Sequence, residues 1–255
     1  SNQNRHNYLI NLFSKFCDEL FVVQECGTIS PGIIPAHYPT STIIQEYFEK
    51  VNDAQFKLFR NSYVNNLKKN IKILSMLSGD LNKCSLKFLS DFLKSDIYIV
   101  FGSSYIKGEL VDFLVKQKAI NIHMGVSPYY RGTDCNFWAV YDDNPHLVGA
   151  TIHMLSKGLD SGPMLYHAMS NIKTNPFEYT MSTVKAAFHS IAERIEDKSI
   201  FEIKPIIQNK ENEIRYSKKI EFNDEVVKKY FNKEINLNSK KFDNSLLKEP
   251  FFLNN

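Results

Sequence analysis

Short apolar runs and stretches of helical period take turns along this chain. Apolar side chains recurring every three to four residues predict helices over 7–16, 42–58, 85–93, 108–116, 134–141 and 180–195. In the first, Tyr8, Leu9, Leu12, Phe13 and Phe16 share one face. Runs rich in β-branched and aromatic residues predict strands over 20–23, 71–74, 96–101, 119–123, 147–154 and 164–168. Pro31, Pro35 and Pro39 make 27–40 a loop. Further loops are expected at 128–132 and 156–162, with a tight turn at Gly102, Ser103 and Ser104.

Alternating strands and helices predict an α/β fold, a mostly parallel Rossmann-like sheet flanked by helices. The first helix has no strand before it, and the polar residues 1–5 resemble a loop leaving a strand end. A catalytic domain over 1–200 is therefore expected to lack its first strand at the N-terminus. Past Phe201 the pattern changes to polar and charged residues, with Asn and Lys repeated over 232–241. Residues 201–255 are expected to form a small, partly extended appendage.

Composition narrows this only a little. Of 255 residues, 43% are hydrophobic and 23% charged, enough to bury a sizeable core. The 31 basic and 28 acidic residues leave +3 and no basic block, so nucleic acid is not an expected partner. Cys17, Cys26, Cys84 and Cys135 form no CxxC pair and have no His at ligand spacing, which predicts reduced thiols and no metal. No apolar run reaches the roughly 18 residues of a membrane span, and no signal-peptide pattern is present. The expected location is the cytoplasm, away from membranes.

Candidate chemistry is concentrated in the middle of the chain. Asn121 and His123 lie two apart on a predicted strand, so they share a face at its C-terminal end, where open α/β sheets place ligands. Asp160 sits in a Gly-flanked loop after a later strand, from which a carboxylate could orient His123. An amide donor, an imidazole and a carboxylate suit acyl transfer to an amine, in which an oxyanion needs a preorganised N–H and protons need a carrier. No Ser or Cys nucleophile is required, because the amine itself attacks. Each residue also has a plainer reading: His123 and His153 as core histidines, Asp160 as a turn former, Trp138 as packing, and Tyr129, Tyr130 and Arg131 as loop surface.

The segment from 97 to 168 resembles the catalytic domain of the folate-dependent formyltransferases, most closely the sugar N-formyltransferases. The motifs carrying the resemblance are Asn121-Ile122-His123, Ser127-Pro128-Tyr129-Tyr130-Arg131-Gly132, Thr151-Ile152-His153 and Asp160-Ser161-Gly162, all in order. The resemblance implies 10-formyltetrahydrofolate as donor, with Asn121 on the formyl oxygen, His123 as acid and base, and Asp160 organising His123 and a water. It implies folate contacts from Gly102, Ser103, Ser104, Tyr105 and Ile106, and from His153, Ser156, Lys157 and Leu159 opposite. Ser127, Tyr129, Tyr130 and Arg131 fall on the acceptor side. The family commonly has Pro after the His; Met124-Gly125-Val126 stands there instead, beside the acceptor site.

A methionyl-tRNA enzyme usually carries a sizeable basic barrel at its end, and a glycinamide ribonucleotide enzyme is usually shorter. The roughly fifty mixed-charge residues after Phe201 match neither, so the expected acceptor is a nucleotide-linked amino sugar of the kind used in polysaccharide biosynthesis. Sugar-modifying relatives are often dimers, which makes a homodimer an expectation. The alternatives are a glycinamide ribonucleotide or methionyl-tRNA formyltransferase, a formyltetrahydrofolate hydrolase and a non-catalytic folate binder.

Overall fold

The computed structural model describes residues 1–27, 41–64 and 70–253. The expected loop at 27–40 lies outside the described residues from position 28 onward. In chain order the elements are α1 (Asn4–Phe13), β1 (Leu20–Cys26), α2 (Thr42–Phe59), β2 (Ile71–Leu77), β3 (Ile99–Phe101), α3 (Gly108–Lys116) and β4 (Ile120–His123). Next come β5 (Tyr130–Gly132), α4 (Cys135–Tyr141), β6 (Ala150–Met154), β7 (Met164–Ser170), α5 (Pro176–Glu196), β8 (Arg215–Ser217), α6 (Asp224–Asn232) and β9 (Phe251–Leu253).

This is the expected α/β fold. Among the described residues, β1–β2, β3–β4, β5–β8 and β7–β9 pair in parallel. β6 runs against both β4 and β7. The largest sheet has the order β3-β4-β6-β7-β9, while β1 and β2 form a separate parallel pair. A cleft of about 280 Å³ separates β1 from β3, lined by Val22, Val23, Ile99 and Phe101 among others.

Helices cover both faces of this layer, and the alternation along the strands shows why. Ile99 and Phe101 of β3 pack into the main core, while Val100 packs into a second cluster built by α3 around Leu89, Leu110 and Leu114. In β4, Ile120 and Ile122 belong to the main core, beneath α5, which lies across β6, β7 and β9. Burying each isoleucine contributes about 1.5–3 kcal/mol. A one-residue slip of β4 would drive Asn121 and His123 into that apolar core, so the hydrophobic register is what presents them on the opposite face.

Several elements differ from the sequence pattern for local reasons. Apolar periodicity begins at 180, yet α5 starts at Pro176, because the Asn175 side chain accepts from the Phe177 and Glu178 N–H groups and proline suits the first helical position. Residues 85–93 form no α-helix: a turn closed by Leu89 N–H to Ser85 O leads into a 3-10 turn at Ser90–Leu93. Only Leu89 is deeply buried there, while Phe88 is exposed, so no apolar stripe favours a longer helix. Over 147–154 the strand proper begins at Ala150, after a 3-10 turn at Pro145–Leu147. Within the loop expected at 128–132, Tyr130–Gly132 is a strand whose partner β8 lies far along the chain.

Residues beyond Phe201 add to the same layer. β8 joins β5, and β9 becomes the edge of the main sheet beside β7. Lys248 N–H donates to Nδ1 of buried His167 at 2.8 Å, and His167 Nε2 donates to the Ser127 carbonyl at 2.8 Å.

Candidate active site

Asn121 and His123 project from β4 on the face away from the main core. Asn121 lies directly opposite His153 of antiparallel β6, close enough for the side chains to meet. The amide Nδ2 of Asn121 donates to Nε2 of His153 at 3.0 Å. The other ring nitrogen fixes this direction. His153 Nδ1 is 2.8 Å from the Met154 carbonyl, which can only accept, so Nδ1 carries the hydrogen and Nε2 offers a lone pair. Burial pushes His153 down to about 4, so the ring is neutral near pH 7. The Asn121 carboxamide is held by one N–H, so its oxygen and second N–H lie outside that bond.

His123 is buried between two acceptors. Its Nδ1 is 3.3 Å from Asp160 Oδ1, and its Nε2 is 3.2 Å from the Tyr130 carbonyl. Both neighbours favour an N–H, and together they suit the doubly protonated ring. Burial alone would push His123 down, but Asp160 and Cys135 beside it outweigh that, holding it well above its ordinary value. For Asp160, burial pushes up, yet the adjacent imidazolium and the Gly132 N–H hold its carboxyl below the usual range. Asp160 also comes within 3.9 Å of His153 Nε2. Amide, imidazole and carboxylate thus meet in one place.

Asp160 reaches this position in a left-handed backbone conformation, φ +46°, unusual for a residue with a side chain. Surrounding contacts hold the loop. Arg131 Nη2 donates to the Leu159 carbonyl at 3.0 Å, while its Nη1 donates to Glu213 at 2.9 Å. Ser156 Oγ lies 3.0 Å from Ser161 Oγ. A Cβ on Gly162 would fall 1.7 Å from the Met154 carbonyl oxygen, so only glycine lets the loop return so close to β6. Gln208 Nε2 donates to the carbonyls of Asp160 at 2.9 Å and Gly162 at 2.8 Å.

The two segments expected to hold folate touch each other. The turn Gly102, Ser103, Ser104, Tyr105 and Ile106 follows β3, with Gly102 at φ +56° and Ile106 buried against α3. Tyr105 is half exposed, and its hydroxyl donates to the Lys157 carbonyl at 2.5 Å, tying this turn to the loop carrying Ser156, Lys157 and Leu159. The buried Glu25 carboxylate accepts from Ser104 N at 2.7 Å, Ser104 Oγ at 2.8 Å and Gly79 N at 2.7 Å. Asn82 clasps the same turn, donating to the Tyr105 carbonyl at 2.9 Å and accepting from Lys107 N at 2.7 Å.

Of the acceptor-side residues, Ser127 is fully buried, and its N–H donates to Thr151 Oγ1 at 2.8 Å. Its Oγ is buried without a hydrogen-bond partner. The Tyr129 carbonyl accepts from the N–H groups of Ile214 and Arg215. The Tyr130 ring points inward, with its hydroxyl 2.8 Å from Asn144 Nδ2 and 3.4 Å from Asp142. Arg131 is buried and spends both terminal nitrogens on the internal contacts above. Among the described residues, no cluster of three or more His, Cys, Asp or Glu side chains is placed to hold a metal ion. Nor is any described helix long and apolar enough to cross a membrane.

Sequence reasoning missed Gln208, Glu25 and Asn82. Each is a polar residue outside any motif, with its partners tens of residues away, and nothing local marks it.

Comparison with known proteins finds similarity over part of the chain. The family model described as formyl transferase matches residues 91–197, which contain Asn121, His123 and Asp160. The methionyl-tRNA formyltransferase of Thermosynechococcus vestitus is 33% identical over 73 residues, 29% of this chain and 22% of that protein. That of Trichodesmium erythraeum is 27% identical over 139 residues, 49% of this chain and 41% of that protein. The chain therefore spans less than half the length of these curated relatives. Among solved structures, the formyltransferase PseJ of Anoxybacillus kamchatkensis is 23% identical with a TM-score of 0.44, covering 68% of this chain and 82% of that one. That protein was solved with a UDP-linked formamido sugar and tetrahydrofolate.

Proposed function

We propose that this chain, which carries a formyl transferase domain over residues 91–197, passes a formyl group from 10-formyltetrahydrofolate to the amine of a nucleotide-linked amino sugar. The support is the convergence inside that domain of the Asn121 amide, the His123 ring and the Asp160 carboxylate, the last two 3.3 Å apart. In this reading the amine nitrogen attacks the formyl carbon, and negative charge gathers on the formyl oxygen. The second N–H of Asn121 donates to that oxygen; removing one such donor from an acyl-transfer site costs about 10²–10³ in rate. The carbon–N10 bond then breaks, N10 takes up a proton and the amine gives one up. His123 rests as the acid, because Asp160 keeps it charged, so it supplies the proton to N10 and recovers one from the amine.

The turn at Gly102–Ile106 and the loop at Ser156–Leu159, joined through Tyr105, are the residues that would flank the folate. An amino-sugar acceptor is favoured over tRNA by the use made of residues 205–253. They extend the catalytic layer through β8 and β9 and clamp the Asp160 loop, and they build no basic surface block.

The test is incubation with 10-formyltetrahydrofolate and a panel of nucleotide-linked amino sugars, following tetrahydrofolate release. Formylation of one or more sugars is the expected result. Turnover of glycinamide ribonucleotide or methionyl-tRNA with no sugar formylated would reverse the acceptor. Formate release without any amine would make the protein a hydrolase, and unchanged turnover in His123→Asn would displace the trio from the chemistry.

A further inference from the structure

We propose that Gln208 is the positioning residue that holds Asp160 against His123. Gln208 lies far from the catalytic motifs in sequence, in the segment between α5 and β8, and is buried. One amide nitrogen makes both of its contacts. Its two hydrogens go to the carbonyls of Asp160 at 2.9 Å and Gly162 at 2.8 Å, on either side of Ser161. Those carbonyls bracket the turn that presents the carboxylate.

The turn needs such a clamp. Asp160 occupies the left-handed region at φ +46°, where a side chain is disfavoured. Gly162 is already pressed onto the Met154 carbonyl, so the loop cannot relax toward β6. Gln208 fixes the two carbonyls that bracket the turn, so displacing the loop from His123 strains those two bonds. The contact between Asp160 and His123 is 3.3 Å, longer than the 2.7–2.9 Å usual for a charged pair, so a small outward movement would lose it. Other ties act beside it: the Gly132 N–H meets the Asp160 carboxylate itself, Arg131 holds Leu159 and Ser156 holds Ser161, while Gln208 grips the Asp160 and Gly162 backbone carbonyls. The Gln208 side-chain oxygen is buried without a partner, so the hydrogen bonds of this side chain come from its nitrogen alone.

A role limited to fastening the C-terminal segment would predict lost stability and nothing else. A positioning role predicts a change at His123, which faces Asp160 from the loop, His153 from β6, Cys135 from α4 and the Tyr130 carbonyl from β5. Of these, Gln208 contacts only the Asp160 loop.

The inference rests on the formyl-transfer reading for its effect on turnover, but not for its effect on the His123 ring. The experiment is therefore an NMR titration of the histidine rings in the whole protein, with His123 assigned by its absence in His123→Asn. Gln208→Met keeps the volume and removes the donors. The His123 titration is expected to move down by about one pH unit as Asp160 withdraws. Where formyl transfer is measurable, kcat is expected to fall about 10–100-fold with little change in KM for the folate. Gln208→Asn keeps a shorter amide and is expected to fall between the two, and it carries the test should Gln208→Met fail to fold. A folded variant with an unmoved His123 titration would overturn the proposal, whatever the acceptor turns out to be. A moved titration with no formyl transfer in either protein would leave the clamp standing and remove the proposed reaction.

Discussion

Asn121 gives one amide hydrogen to His153 across the β4–β6 pair, at 3.0 Å. The ring can accept it only because its other nitrogen donates to the Met154 carbonyl. One backbone oxygen therefore sets the tautomer of His153, and His153 sets which way the Asn121 carboxamide points. This chain of dependence makes a buried histidine matter to the amide proposed as the oxyanion donor.

The first prediction concerns that link. Replacing His153 with Leu removes the acceptor and frees the Asn121 carboxamide to rotate. Formyl transfer should drop about 10–100-fold in kcat, less than deleting the donor altogether. Steady-state kinetics on the folded variant checks this. Wild-type kcat in His153→Leu would mean that Asn121 needs no orientation.

The second concerns acid stability. Burial holds His153 and His167 down to about 4, and His6 is pushed down by burial as well. In the unfolded chain they titrate near 6.5, so between about 6.5 and 4 the unfolded state binds more protons and stability falls as pH falls. For His153 and His167 the loss is on the order of 3 kcal/mol each by pH 4. His123 works the other way: its contribution is complete below 6.5 and is lost as pH rises through its elevated value. The melting temperature, followed by circular dichroism, should therefore decline steadily from pH 6.5 to 4. A flat profile would show that these rings are not held neutral.

Gly162→Ala is the third. The new methyl would lie 1.7 Å from the Met154 carbonyl oxygen, 2.9 Å from its carbon and 3.0 Å from Nδ1 of the buried His153 ring, none of them the far end of a flexible side chain. Overpacking of this kind costs about 1–3 kcal/mol, and relief requires the Asp160 loop to move outward. Chemical denaturation should register the loss, and formyl transfer should fall more than stability alone explains. Full activity would show that the loop tolerates displacement.

The fourth separates folate binding from chemistry. Tyr105→Phe removes the hydroxyl that ties the 102–106 turn to the Lys157 carbonyl. The tie is half exposed, so a loss of about 1 kcal/mol is expected, read as a few-fold rise in KM for the folate with kcat nearly unchanged. A fall in kcat at constant KM would place Tyr105 with the reacting groups instead.

Apolar periodicity is a local property, and it announced the α/β alternation, the strand carrying Asn121 and His123, and the loop carrying Asp160. Each depends on neighbours within a few residues: Ile120 and Ile122 must face the core, so Asn121 and His123 must face the other way. What neighbours could not reveal was pairing over distance. Tyr130–Gly132 is a strand only because Arg215–Ser217 lies beside it, and residues past Phe201 enter the sheet only because β7 offers β9 an edge. The protonation of His123 and the grip of Gln208 on Asp160 likewise arise from groups 7 to 48 positions apart or from burial. A residue's identity along the chain says which hydrogens it can give. The folded surroundings decide which partner receives them, because only folding removes the water that would otherwise compete.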